Sequence, residues 1–596
     1  MKKYFRKYVY LPLKQLNIAD KGIGEIFDFK SWDRLGILMA ILIVMTVLIV
    51  VKLFVLQVAD FNFYTAMASD QHEIQRILYA NRGDILMADY SRPDDLFYAA
   101  TNKQYFQIYS VPQQIDDPES VAEELYKYVN MDKERLVEIF SKEDDPYEPI
   151  EKKVGEERYE IIKELSLPGI YGLEETYRYY VDDNIGSNIV GFVGIQDDKP
   201  HGQYGIEGYF NDILAGQEGL IQSERDVAGR WIALSDRNIQ QAVDGADIVL
   251  TIDRALQFKT CSLLNESVLR HGADGGAVIV LDPSTGKVLA MCSNPDFNPN
   301  YYSDVKSASA YNNKAIFESY EPGSIFKPVV MSAAMDMDYV TPDSTYVDTG
   351  SVTIDEYTIK NAGDKVYGEQ NMAGVLENSI NTGMIHVSRL LGQDRFKDYV
   401  ERFGFGELTG IELQTEVAGN ISSLEKRSEV YTATASFGQG ITVTPMQIAV
   451  AYSTFANGGN LVKPYVIDEI RYADGSVEKR QPTIIRQVIS PKTSILMTGM
   501  LTSVVMNGHA SNAKVPGYYV AGKTGTAQIA GSGGSYLEDA TNHSFVGYAP
   551  ADDPRFVIMI RLERPRSAEY SASTAARVFG DLAKYILNYY EVPPDF

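Results

Sequence analysis

Cysteine is almost absent from this chain of 596 residues, which contains only Cys261 and Cys292. Two cysteines cannot build the dense disulfide framework of small secreted domains, and their spacing is not that of a Cys-x-x-Cys metal or redox motif. We predict that both are free thiols, mostly buried, where cysteine behaves as a small apolar residue. A single bridge between them is the alternative.

Histidine and net positive charge are also lacking. The six histidines form no His-Glu-x-x-His pair and no His-x-x-x-His spacing, so we predict no metal site and no cofactor. Lysine and arginine number 55 against 80 aspartates and glutamates, for a formal net charge of −25. Nucleic-acid binding requires a basic surface that displaces counterions from phosphates. The charge balance therefore argues against a nucleic-acid partner.

One apolar run is long enough to cross a membrane. It extends from Leu35 to Val51 and resumes after Lys52 as far as Val58. A spanning helix needs roughly 20 residues, and a buried core helix would not be apolar on every face for this length. Ala66–Ala68 resembles a signal-peptidase site, but the apolar run is too long for a cleaved signal. We predict a transmembrane anchor over residues 35–58.

The charges around the anchor predict its orientation. The 34 residues before it carry eight basic and four acidic side chains, whereas the segment behind it is mostly acidic or neutral. Because positive flanks stay in the cytoplasm, residues 1–34 are predicted to be a cytoplasmic tail. Everything after the anchor is then extracytoplasmic.

Two regions of different texture follow the anchor. Residues 59–245 are polar and turn-rich, with amphipathic helical periodicity between Glu119 and Leu165. Residues 246–596 contain strand-like runs near both ends, at 247–252, 276–282, 287–292, 545–548 and 556–562, with helical segments between them. This arrangement predicts an α+β fold whose largely antiparallel sheet is assembled from distant segments.

A serine and a lysine three residues apart mark a helix start in the second region. Ser324 and Lys327 stand in the sequence Glu-Pro-Gly-Ser-Ile-Phe-Lys-Pro, where the glycine breaks the chain and the proline suits a first helical turn. On a helix these two side chains face the same way, so a neutral lysine amine could take the serine proton. The spacing alone is weak support, because it also occurs after five other serines: Ser284, Ser303, Ser423, Ser476 and Ser511.

Two rarer motifs make Ser324 the preferred candidate. Ser379-Ile-Asn381 is the only Ser-x-Asn in the chain, and it falls between two helical segments where a loop could project short polar groups into a cleft. Lys523-Thr-Gly525 is the only Lys-Thr-Gly, and it follows the strand-like run 518–522. A serine nucleophile, two lysines, a second hydroxyl and an amide can together perform acyl transfer without histidine.

These three motifs, in this order, resemble those of the penicillin-recognising serine transferases. The flanking sequence is most similar to class B penicillin-binding proteins, the monofunctional peptidoglycan D,D-transpeptidases, and the stretch Ser544–Pro550 looks closest to their division-type (septal) members. The resemblance implies a single transmembrane helix, an elongated pedestal domain over residues 59–245, and a transpeptidase domain over 246–596. Further matching stretches are 82–85, 191–194, 205–208, 281–286, 437–440, 443–445 and 521–528.

The resemblance also implies a role for each site residue. Ser324 would be the nucleophile, Lys327 its general base, and Ser379 the proton relay. Asn381 would hold the substrate amide and orient Lys327, and Lys523 would be the cation that binds the terminal carboxylate. The remaining substrate-binding residues implied by the match are Thr524, Gly525 and Thr526.

The implied ligands are peptidoglycan stem peptides and β-lactam antibiotics, and the implied protein partners are a polytopic membrane glycosyltransferase and other cell-wall synthesis proteins at the inner membrane. Two alternatives remain open. The same apparatus could serve a hydrolase, either a D,D-carboxypeptidase or a β-lactamase, or the motifs could persist in a non-catalytic envelope scaffold.

Overall fold

The computed structural model describes residues 34–59, 73–142, 145–224, 238–531 and 535–596. The chain divides into two compact units, one of Met1–Leu78 with Gly219–Gln241 and the other of Tyr79–Glu218 with Ala242–Phe596. The predicted cytoplasmic tail lies outside the described residues except for Arg34, as do residues 60–72 of the predicted pedestal.

The α-helices are numbered in chain order. They are α1 Arg34–Phe54, α2 Pro118–Leu125, α3 Lys133–Phe140, α4 Glu156–Glu164, α5 Ser187–Val190, α6 Gly205–Tyr209, α7 Asn211–Ala215, α8 Arg254–His271, α9 Lys314–Phe317, α10 Lys327–Asp336, α11 Met372–Glu377, α12 Asn381–Leu391, α13 Gln393–Arg402, α14 Glu429–Ala435, α15 Pro445–Ala456, α16 Pro491–Met506 and α17 Ala575–Tyr589.

The β-strands are numbered likewise. They are β1 Glu73–Leu78, β2 Ile85–Ala88, β3 Phe97–Ser110, β4 Glu148–Val154, β5 Ile170–Tyr180, β6 Phe192–Gln196, β7 Lys199–Gln203, β8 Gly219–Glu224, β9 Asn238–Gln240, β10 Asp247–Asp253, β11 Gly275–Leu281, β12 Val288–Asn294, β13 Thr345–Asp348, β14 Ser351–Ile354, β15 Tyr357–Lys360, β16 Gly368–Asn371, β17 Asn460–Val462, β18 Ile467–Arg471, β19 Val477–Lys479, β20 Ile484–Gln487, β21 Ala521–Ala530, β22 Tyr536–Ala549 and β23 Phe556–Glu563.

The first unit contains the predicted anchor. Helix α1 continues into a π-helical turn at Val55–Ala59, and the apolar stretch Ile37–Val58 is not buried by any other part of the described chain. An apolar helix that is uncovered all round is typical of a lipid environment. It fits a single-pass membrane anchor. The same unit holds the antiparallel sheet β1–β8–β9.

The second unit is built on two sheets. One sheet has the order β19–β18–β10–β2–β3–β4, with β5 also paired to β3, and the parallel pair β10–β2 joins the two predicted domains. The other sheet has the order β12–β11–β23–β22–β21, and every pairing in it is antiparallel. The predicted α+β class, with a mainly antiparallel sheet made from distant segments, is confirmed.

Helices cover both faces of the five-stranded sheet. Every residue of β11 is buried, which requires packing on both sides of the strand. Helices α8 and α17 contact each other and the sheet, and α15 and α16 form a second such pair. Helix α15 begins where its sequence dictates, since Thr444 and Gln447 form a capping box around Pro445. This framework holds the edge strand β21.

The cysteines depart from the prediction. Cys261 on α8 and Cys292 on β12 form a disulfide with a Cα–Cα distance of 5.3 Å, so the prediction of free thiols is wrong. The bridge exists because α8 packs directly on β12 and brings the two residues within reach of each other.

Candidate active site

Ser324 lies on a short 3₁₀ turn, Gly323–Phe326, that leads directly into α10. Gly323 has φ +60°, and a Cβ there would come within 3.0 Å of the side chain of Ala527. Glycine therefore allows both the turn and its close approach to strand β21. The turn is also fixed from below, because the hydroxyl of buried Tyr452 donates a hydrogen bond of 2.8 Å to the carbonyl of Ile325. The predicted helix start at Ser324–Lys327 is present.

Ser379 and Asn381 lie where α11 ends and α12 begins. Ser379 has φ +54°, a left-handed conformation that is uncommon outside glycine and is often retained at functional sites. Asn381 is the first residue of α12 rather than a loop residue. The turn brings both side chains onto the amine of Lys327.

Lys523, Thr524, Gly525 and Thr526 lie within strand β21 rather than after a strand. The strand-like run 518–522 predicts the strand too early in the chain, because β21 begins only at Ala521. Gly525 is required by packing, because a Cβ at this position would lie 2.5 Å from the hydroxyl of Ser544 and 2.9 Å from a methyl group of Ile325. Because glycine has no Cβ, the strand can pass close to the Ser324 turn.

A hydrogen-bond network joins five of the predicted residues. The hydroxyl of Ser379 donates to that of Ser324 over 2.9 Å. It also receives hydrogen bonds from both amines, at 3.2 Å from Lys327 and 3.1 Å from Lys523. Lys327 donates further to the carbonyl of Ser379 at 2.6 Å and to Oδ1 of Asn381 at 2.8 Å. Ser379 therefore lies between the nucleophile candidate and both lysines.

The two lysines are buried without a carboxylate partner. Lys327 is 0% exposed and Lys523 is 1% exposed. Burial, and then the neighbouring charge of Lys523, holds the pKa of Lys327 well below its usual range. Burial lowers the pKa of Lys523 to about 7. The neutral form of Lys327 is therefore favoured at neutral pH, and its lone pair can accept a proton.

Three predicted substrate-binding residues do not join the network through their side chains. Thr524 contributes its carbonyl, which accepts from the amine of Lys523 at 3.2 Å. The hydroxyl of Thr526 lies 3.2 Å from that of Ser571, which precedes α17. Thr524 and Thr526 are half-buried on β21, the edge strand of the sheet.

The site also includes residues that the sequence did not indicate. Tyr452 and Ser571 support the Ser324 turn and β21, but neither lies in a motif, and a tyrosine in an apolar helix is typical of a core residue.

Of the alternative serines, Ser284 is exposed and its lysine, Lys287, is paired with Asp468 at 2.6 Å. Lys287 is thus partly exposed and paired with a carboxylate, unlike Lys327. Within the described residues no cluster of three or more metal-ligating side chains is present, and the absence of a metal site stays a prediction.

The sequence matches two known domain families. Residues 276–584 match the family described as "Penicillin binding protein transpeptidase domain", and residues 77–250 match the "Penicillin-binding Protein dimerisation domain". The transpeptidase match alone spans more than half of the chain. The chain belongs to the class B penicillin-binding proteins.

Curated relatives support the same family. The chain is 32% identical to Stage V sporulation protein D of Bacillus subtilis (strain 168), over 87% of this chain and 80% of that protein. It is 31% identical to peptidoglycan D,D-transpeptidase FtsI of Escherichia coli (strain K12), over 74% of this chain and 72% of that protein. The predicted family and its peptidoglycan D,D-transpeptidase activity are confirmed.

Solved structures of penicillin-binding proteins have the same fold. Penicillin-binding protein 3 of Mycobacterium tuberculosis, complexed with aztreonam, is 27% identical with a TM-score of 0.67 and covers 87% of this chain and 98% of its own. A peptidoglycan synthetase from Bifidobacterium adolescentis is 26% identical with a TM-score of 0.69, and covers 88% and 98%. Peptidoglycan as substrate and β-lactams as ligands are thereby supported for this class B penicillin-binding protein.

Proposed function

We propose that this transpeptidase acts through an acyl-enzyme on Ser324, with Lys327 as general base and Ser379 as proton relay. The observation that carries the proposal is the chain of hydrogen bonds from Ser324 through Ser379 to two buried lysines. A hydroxyl is a poor nucleophile unless a base removes its proton, and a desolvated amine with a lowered pKa is such a base. The position of Ser324 and of the two buried lysines within one hydrogen-bond network supports this assignment.

The reaction follows from these positions. Ser324 Oγ attacks the carbonyl between the two terminal D-alanines of a stem peptide, and its proton passes to Lys327. As the peptide bond breaks, Ser379 delivers a proton to the nitrogen of the departing D-alanine. Ser379 then takes up the proton held by Lys327. An amine of a neighbouring stem then attacks the ester carbonyl, and its proton passes through Lys327 to Ser324 Oγ as the ester bond breaks, which frees Ser324 and forms the cross-link. The oxyanion would be held by the backbone N–H groups of Ser324 and Thr526.

A donor–acceptor experiment tests this function. Purified protein would be incubated with a peptide ending in D-Ala-D-Ala and with an acceptor amine, and the products analysed by mass spectrometry. We expect release of D-alanine and a donor–acceptor adduct that grows with acceptor concentration. If only the hydrolysed donor forms at every acceptor concentration, the carboxypeptidase alternative is correct.

We assign recognition of the terminal carboxylate to Lys523, with Thr524 as a secondary donor. An ammonium group beside a hydroxyl is a natural receptor for a carboxylate, which would favour the charged form of Lys523 on binding. Lys523→Ala should slow acylation by both peptide and β-lactam roughly ten- to a hundredfold, and Thr524→Val should cost less because it removes a neutral donor.

An amidated substrate separates recognition from a general loss of activity. A D-alanyl peptide with an amidated C-terminus should react slowly with the parent protein and lose little more with Lys523→Ala. If the acid and the amide respond equally to Lys523→Ala, the lysine does not bind the carboxylate.

We infer that the N-terminus is cytoplasmic and the catalytic region extracytoplasmic. The eight basic residues before the apolar helix support this orientation: Lys2, Lys3, Arg6, Lys7, Lys14, Lys21, Lys30 and Arg34. A reporter enzyme that is active only outside the membrane should function when it is fused after Ser69. The same reporter fused at Lys30 should be inactive, and activity there would reverse the orientation.

We propose a role in septal wall synthesis, with a polytopic membrane glycosyltransferase and other cell-wall synthesis proteins as partners. The similarity to FtsI and the division-type stretch Ser544–Pro550 support the role. The monofunctional transpeptidases, which the sequence motifs resemble, need glycan strands from another enzyme. We retain domain limits of 59–245 for the pedestal and 246–596 for the transpeptidase region, close to the matched ranges 77–250 and 276–584.

A further inference from the structure

Helix α12, which carries Asn381, has no cap of its own. The residue before its first turn is Ile380, whose side chain cannot accept a hydrogen bond, so the first backbone N–H groups need another partner. Asn361 supplies it from a distant segment. Its Oδ1 accepts from the backbone N–H groups of Asn381 and Thr382, both at 3.1 Å.

Asn361 is itself held rigidly. It is 4% exposed, and its amide group donates to the two carboxylate oxygens of Asp348 at 3.1 and 3.0 Å and to the carbonyl of Lys365 at 3.1 Å. Asp348 is 2% exposed and also accepts from the hydroxyl of Thr382 at 2.5 Å. Burial alone would raise the pKa of Asp348, but this hydrogen bond and several others outweigh it and lower the pKa. The carboxylate is a fixed, ionised acceptor.

The same segment fixes the orientation of the Asn381 side chain. Nδ2 of Asn381 donates to the carbonyl of Lys360 at 3.1 Å, and Oδ1 receives the amine of Lys327 at 2.8 Å. Lys360 and Asn361 thus hold the side chain and the backbone of Asn381, respectively. Continuous hydrogen bonds lead from Asp348 through Asn361 and Asn381 to the base.

We propose that Asn361 is a positioning residue for acylation, which acts by holding Asn381 against the amine of Lys327. The proposal rests on the proposed function, in which Lys327 is the base. Asn361 does not touch the nucleophile or the carboxylate-binding strand. Its effect on the rate should therefore pass entirely through Asn381.

A double-mutant cycle tests this dependence. The second-order rate constant of acylation by a fluorescent penicillin would be measured for the parent, Asn361→Ala, Asn381→Ala and the double variant. Asn361→Ala should slow acylation about tenfold in the parent background, the upper end of the loss expected for one hydrogen bond between neutral groups. In the Asn381→Ala background it should change the rate less than about twofold, because the group that it positions is already gone.

Asn457→Ala is the matched control. Asn457 makes comparable bonds elsewhere, donating to the carbonyls of Pro283 and Asn460 at 2.8 Å and accepting from the N–H of Asn460 at 2.9 Å. It should lower the thermal unfolding midpoint as Asn361→Ala does while leaving the acylation rate unchanged. Equal losses from Asn361→Ala in both backgrounds, or less than a twofold loss in the parent, would overturn the proposal.

Asp348→Asn provides a milder variant with the same shape, in case Asn361→Ala does not fold. It removes the carboxylate that anchors Asn361, and its smaller loss of rate should likewise vanish in the Asn381→Ala background. A loss that persists there would also overturn the proposal. Failure of the proposed function is a separate outcome, since it would appear as labelling of a chain that lacks Ser324.

Discussion

Ser324→Ala is expected to abolish covalent labelling by a fluorescent penicillin. The substitution removes the proposed nucleophile, and no other hydroxyl in the described residues shares its hydrogen bond to Ser379. The loss should be complete at every reagent concentration, whereas the thermal unfolding midpoint should change little because alanine fits the same space. Gel fluorescence and intact-protein mass spectrometry would measure it.

Ser284→Ala is the matched control for Ser324. Ser284 also stands three residues before a lysine, but it is exposed in a turn and Lys287 is paired with Asp468. Labelling of this variant should equal that of the parent. Persistent labelling of Ser324→Ala, with the adduct mapped to another peptide, would show that the nucleophile lies elsewhere.

Lys327→Ala is expected to slow acylation by about a thousandfold, within the range of roughly 10²–10⁴ for loss of a positioned general base. The amine is the group closest to both Ser379 and Asn381 that can take up a proton. Burial and the charge of Lys523 lower its pKa, so the parent's rate should fall as pH drops through that lowered pKa and the amine becomes protonated. A rate limb near pH 10 would contradict this.

Lys327→Arg separates basicity from charge. Arginine stays protonated throughout the pH range of proteins, so it places a permanent cation near Ser379 that cannot accept a proton. Its acylation rate should be as low as that of Lys327→Ala. Lys287→Ala, at the decoy lysine, should leave the rate unchanged. If Lys327→Arg retained a rate within tenfold of the parent, a simple electrostatic role would replace that of base.

The three catalytic motifs could be predicted from the sequence because each is short and locally encoded. The placement of Ser324 and Lys327 on one face follows from a predicted helix start alone. Strands β11, β12 and β23 are recognisable as apolar runs, and a turn separates β11 from β12. Strand β21 was harder to place. Its residues Lys523–Thr526 are polar or small, so the strand is defined by pairing with β22 rather than by its own pattern.

The supporting residues could not be predicted, because their roles depend on what the fold brings beside them. Asn361 precedes Asn381 by 20 positions, with strand β16 and helix α11 between them, and no local pattern relates the two. The Cys261–Cys292 bridge depends on α8, a helix that no pattern in the sequence had indicated. Burial of Lys523 has the same origin, since its amine is removed from water only by residues that the fold brings from distant parts of the chain.

The order of strands in the five-stranded sheet has a consequence for folding. Strand β11 pairs with β12 nearby but also with β23, near the end of the chain, and β21 enters the sheet only through β22. Contacts between such distant segments form slowly, and in the orientation proposed above they cannot form before the last strands have crossed the membrane. Ser324 lies before these last strands, and Lys523 lies on one of them. A chain that had crossed only as far as Ser324 would therefore lack the hydrogen-bond network that joins the two residues. If Ser324 is the nucleophile and the proposed orientation holds, acylation by penicillin reports not only the presence of the protein but also the completion of its folding.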